Sequence, residues 1–107
     1  MEILNKDERE LLIDLLERSS KVPYTIDKQN LDASIEIARI LKSIEGKEEI
    51  DLDQLPAMDR TIIGRTVTVE IILLRREWMP DPAARAAQAK RLEIAEGLLR
   101  KTGLGQN

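Results

Sequence analysis

Between Ile62 and Leu74 the chain carries apolar side chains on more sides than one neighbouring element can cover. Wound as a helix, Ile63, Val67, Ile71 and Leu74 form one stripe. Ile62, Val69 and Leu73 form a second, and Ile72 falls outside both. A helix that is apolar on two faces needs burial on two faces, so it is either central in a bundle or shared with a second molecule.

The same segment also carries a competing signal. Thr66-Val67-Thr68-Val69-Glu70-Ile71 alternates polar and apolar at the strand period and is rich in β-branched residues. Helix is the better reading for two reasons. No other segment offers a strand partner, and a lone strand leaves its backbone donors and acceptors unpaired. Arg60, Arg65, Arg75, Arg76 and Glu77 also bracket the run with good helix formers.

Aromatic residues make up 2% of the 107-residue chain, with Tyr24 and Trp78 the two rings. The core is therefore aliphatic, which suits closely packed helices better than a β-sandwich. A chain of this length forms one domain, residues 1–107, that buries roughly two-thirds of its surface.

Four segments show helical periodicity, over about 6–19, 28–45, 57–78 and 82–102. Asn5 reads as the N-cap of the first, and Glu8 three positions on completes a capping box. Leu11, Leu12, Leu15 and Leu16 form its apolar stripe. Residues 19–26 read as a connection, with Val22 held extended by Pro23 and Tyr24 packed against the nearby helix ends. Asp27 caps the second helix and Gly46 closes it in the left-handed conformation. That helix carries Leu31, Ile35 and Ala38 on one strip and Ile37, Ile40, Leu41 and Ile44 on a broader one.

Residues 47–55 form an acidic break anchored by Ile50, Leu52 and Leu55. Pro56 suits the first turn of the third helix. Asp81 and Pro82 open the fourth, and Gly103 and Leu104 read as a Schellman end, with Leu104 folded back on Leu99. The expected fold is all-α, an antiparallel four-helix bundle that dimerisation could complete.

The charge balance narrows the function. The net charge is −3, which disfavours general affinity for nucleic acid. Residues 1–54 hold 14 acidic against 8 basic side chains, and residues 55–107 hold 6 against 9. The basic group Arg75, Arg76, Arg85, Lys90, Arg91, Arg100 and Lys101 has no stacking aromatics beside it, so its nucleic-acid footprint is weak. No stretch reaches the length of an apolar membrane span, and the first residues lack the features of a signal peptide, so the cytoplasm is the expected location.

The chain has no His and no Cys, which removes triad bases, thiolate nucleophiles and imidazole or thiolate metal ligands. Asp51-Leu52-Asp53-Gln54-Leu55-Pro56 opens like a calcium loop. It then fails, with Leu55, Pro56 and Ile62 at its fifth, sixth and twelfth positions. Asp7 with Glu10, Asp14 with Glu17 and Glu93 with Glu96 share the spacing of carboxylate sites in magnesium-dependent bundles. That spacing is equally common on solvated helix faces. Glu70, inside the apolar run, calls for an Arg partner.

No catalytic residue, metal ligand or cofactor is expected. The function expected from these patterns is a small non-enzymatic protein-interaction module, regulatory or adaptor. It would self-associate as a dimer or bind a helical protein through Ile62, Arg65, Val69, Ile72, Leu73 and Arg76, with Trp78 and Met79 at the helix end. Two alternatives stand behind it: a Mg- or Mn-dependent phosphohydrolase using acidic pairs on facing helices, and a weak nucleic-acid binder using the basic C-terminal half.

Overall fold

A computed structural model of the chain describes residues 3–20 and 28–103, with the side chains of 28–34 outside the description. The described residues form four helices, α1 (Lys6–Ser20), α2 (Lys28–Ile44), α3 (Ala57–Arg76) and α4 (Pro82–Thr102), and one short 3₁₀ turn, Leu52–Gln54. No strand of more than a single bridge occurs among the described residues. The all-α bundle read from the periodicity is the observed architecture.

Local chemistry sets the helix ends. Asn5 and Glu8 form the expected capping box: the Glu8 amide donates to Asn5 Oδ1 at 2.8 Å, and the Asn5 amide donates to Glu8 Oε1 at 2.9 Å. Asp81 Oδ1 accepts from the Ala83 amide, with Pro82 in the first turn of α4. Gly46 and Gly103 both sit at φ +82°, the left-handed conformation that closes a helix without a Cβ penalty. The expected caps and contacts of Asp27, Val22, Tyr24 and Leu104 lie outside the described residues.

The strand-like stretch is helical, and its threonines show how. Thr61, Thr66 and Thr68 each donate a hydroxyl hydrogen bond to the carbonyl four residues earlier, on Ala57, Ile62 and Gly64, at 2.7–3.0 Å. The side chains that raised the strand signal are thus satisfied within the helix itself. The helix stops two residues short of its expected end, since Glu77 adopts extended geometry at ψ 124°. Gln88 on α4 compensates. Its Nε2 donates to the carbonyls of Leu74 at 2.6 Å and Glu77 at 2.9 Å, in place of helical amides that the chain no longer supplies.

The core gathers Leu11, Leu12, Leu15 and Leu16 of α1, Ile40 and Ile44 of α2, Ile63, Val67 and Ile71 of α3, and Ala95 and Leu98 of α4. Ile50 and Leu52 anchor the acidic connection in the same core, and the Leu4 amide donates to the Ile50 carbonyl at 2.9 Å. Ile35, on the narrower apolar strip of α2, is 59% exposed.

The hub of the bundle is α1, which packs against α2, α3 and α4. The third helix packs chiefly against α4, and also against α1. A central position for the third helix was one of the two ways its apolar excess could be buried. The structure gives that position to α1.

Candidate interaction surface on the third helix

Position around α3 decides which of its apolar residues meet the core. Ile63, Val67, Ile71 and Leu74 are buried, together with Asp59 and Gly64. At about 100° per residue, the row of Arg65, Val69, Ile72 and Arg76 is centred about 180° away from them. That outer row is open to solvent. Val69 is 57% exposed, Leu73 54% and Ile72 44%.

The sequence-derived surface divides accordingly. Val69, Ile72 and Leu73 stand together on the outer face with Arg65 and Arg76, all exposed. Ile62 lies at the edge of the face, partly buried against the core. Trp78 is 78% exposed just beyond the helix end, and Met79 is half-buried after it. Because the helix ends at Arg76, Trp78 and Met79 lie in the connecting chain rather than on the helix.

Met58 belongs to the same row and was missed by the sequence reading. It is 67% exposed. The signal was present in the spacing: Met58, Ile62, Arg65, Val69, Ile72 and Arg76 follow one another at alternating steps of four and three, the repeat of a coiled-coil seam. Thr61 and Thr68 border the seam on one side, and Thr66 and Glu77 on the other.

Ion pairs join the helices of the bundle to one another. Arg91 on α4 donates from Nε to Glu70 Oε1 and from Nη2 to Asp14 Oδ2, both at 2.9 Å. Arg18 adds a 3.0 Å bond to Asp14 and lies 3.8 Å from Glu70. The Arg partner expected for Glu70 is therefore Arg91, and the group ties α1, α3 and α4 together. The hydrogen bond from Arg91, reinforced by Arg18, holds the Asp14 carboxyl below its ordinary pKa of 3.8 against the opposing effect of burial.

Burial works against the Arg91 charge, but the bonds to Glu70 and Asp14 outweigh it and raise that pKa. Elsewhere Arg39 pairs with buried Asp59, Arg75 with Glu96, and Lys101 with Glu8. Arg65 and Arg76 make no ion pair among the described residues.

These pairs bear on both alternative functions. Asp14 and Glu96, members of two of the acidic pairs, are each engaged by arginine. Among the described residues no cluster of three acidic side chains is placed to hold a metal ion. A surface groove of about 470 Å³ does run between α1 and α4, with Asp7, Glu10 and Asp14 on one wall, Lys90 and Arg91 on the other, and Leu11, Ala87 and Ile94 along its apolar floor. Of the seven basic residues in the candidate nucleic-acid group, Arg75, Arg91 and Lys101 are paired with carboxylates of the same chain.

No described helix is long and apolar enough to cross a membrane. No family model, curated protein or solved structure matches the chain.

Proposed function

We propose that this chain is a small non-enzymatic interaction module that docks a helix, from a second copy or from another protein, along the outer face of α3. The observation that carries this reading is a row of large apolar side chains left open on the side of α3 opposite the core: Met58, Val69, Ile72 and Leu73. Single exposed apolar residues are ordinary, but a contiguous row with polar borders marks a contact surface. The 4-3 spacing gives that surface the period of a helix–helix seam. Regulatory or adaptor work, carried out by binding, is the role such a surface suits.

Sedimentation of fluorescently labelled protein tests the reading, in buffer and in an extract of the source cells. The wild type should sediment faster than a monomer in at least one of the two, and Leu73→Glu should sediment as a folded monomer in both. A wild type that remains monomeric in buffer and extract alike contradicts the proposal.

A further inference from the structure

The occupant of this seam has to answer its two unpaired arginines. Arg18, Arg39, Arg75 and Arg91 each meet a carboxylate within the chain. Arg65 and Arg76 make no ion pair among the described residues, although both lie within the apolar row. A guanidinium keeps its charged head hydrated while its stem covers apolar surface, and docking removes part of that water. An opposing carboxylate, accepting from the guanidinium fork, offsets the loss.

The third helix of a second copy does not supply one within its seam. The two acidic side chains of α3 that precede Glu77 are committed elsewhere, Asp59 to Arg39 and Glu70 to Arg91. Parallel pairing sets Arg65 against Arg65 and Arg76 against Arg76. The antiparallel register that joins Val69 to Ile72 sets Arg65 against Arg76. The register that joins Ile62 to Ile72 places both copies of Arg65 in the two central layers. Each arrangement brings four positive charges into one interface with only the bordering Glu77 of each copy against them, which disfavours self-pairing.

We infer that the outer face of α3 binds an acidic amphipathic helix of a different protein, one whose apolar stripe carries two carboxylates about three turns apart. The inference rests on the docking function proposed above and specifies the partner's chemistry. Arg65 and Arg76 are eleven residues apart, about 16 Å along the axis and close to three whole turns, so they project from one side. Carboxylates ten or eleven residues apart on a facing helix meet both in either direction. The row is also narrow, bordered by Thr61, Thr68, Thr66 and Glu77. That width fits a single helix better than a lipid surface, which favours a broad apolar face.

The test uses two synthetic three-heptad helices with the same leucine stripe. One carries Glu and the other Lys at two stripe-edge positions eleven residues apart. Binding is read from peptide anisotropy and from the fluorescence of Trp78, the single Trp of the chain. The wild type should bind the Glu helix at least about ten-fold tighter than the Lys helix.

The Arg65→Glu/Arg76→Glu variant should reverse that preference, and Arg65→Gln/Arg76→Gln should abolish it, with circular dichroism confirming that both variants remain folded. Equal affinity of the wild type for the two helices overturns the charge rule and leaves the docking function standing. Binding of neither helix, with concentration-dependent dimers blocked by Leu73→Glu, overturns the inference in favour of a second copy. Binding of neither helix and no self-association, with or without adsorption to phosphatidylserine-containing vesicles, overturns the inference and the docking function together.

Discussion

Arg91 on α4 and Glu70 on α3 meet at 2.9 Å, and Glu70 is a carboxylate whose side chain is only 12% exposed. The pairing lets a charged residue sit within the most apolar segment of the chain without opening it to water. Because the other fork nitrogen of Arg91 reaches Asp14, one side chain joins α4 to both α1 and α3.

Removing that cation should cost more than removing a surface ion pair. Arg91→Met leaves Glu70 with Arg18 at 3.8 Å as its nearest cation. A loss of about 2 kcal/mol is expected, below the range for fully buried pairs because Arg91 retains some solvent contact. The double variant Glu70→Leu/Arg91→Met should recover most of that loss, since no buried charge is then left alone. Chemical denaturation of the two variants checks both values.

Acid should weaken the same junction. Asp14 has a folded-state pKa below its ordinary 3.8, so its contribution is fully present above the unfolded value. That contribution is lost as the pH falls through the folded value. Thermal melts between neutral pH and pH of about 3 should show wild-type stability dropping at the acid end. Asp14→Asn, less stable at neutral pH, should lose less over that same interval. A variant that loses as much as the wild type would show that Asp14 does not contribute to the acid sensitivity.

The two faces of α3 should answer differently to substitution. Ile63 is fully buried, and Ile63→Ala should cost about 3 kcal/mol through lost burial and the cavity left behind. Leu73→Glu alters a side chain that is half exposed and should change the stability of the isolated chain by less than about 0.5 kcal/mol. Urea denaturation of the pair separates a core face from a contact face without reference to any partner.

Asn5→Ala should cost about 1 kcal/mol, because it removes an acceptor that the Glu8 amide uses at 2.8 Å. The loss should appear in a urea melt. Glu8 also receives Lys101 Nζ at 2.6 Å. Asn5→Ala and Lys101→Ala should therefore be non-additive in a double-mutant cycle, since both act on one carboxylate.

Much of this arrangement was legible in the residues. Helix starts and stops followed from Asn5, Glu8, Asp81, Pro82, Gly46 and Gly103, whose effects are local and belong to the residue type. The inner stripe of α3 and the Arg partner for Glu70 followed from periodicity and from the cost of burying a lone charge.

What the pattern did not contain was the order of packing. Apolar richness left the third helix either central or shared with a second molecule, and α1 is the hub, because its leucine stripe packs against three helices. The exposure of Ile35 and Met58 is also a tertiary outcome, since their spacing alone allows burial as readily as exposure. The carbonyls left open at the early end of α3 are met by Gln88, a residue on another helix that no local rule connects to Leu74.

The account turns on whether the outer row of α3 meets another helix in the cell. Replacing Val69 with a photo-crosslinking phenylalanine derivative, with Lys42 replaced likewise as an exposed control on α2, addresses this in the protein's own cells. Irradiation should give a discrete adduct from position 69 whose attachment maps to a helical segment, and none from position 42. No adduct from position 69, or the same adducts from both positions, would contradict the account.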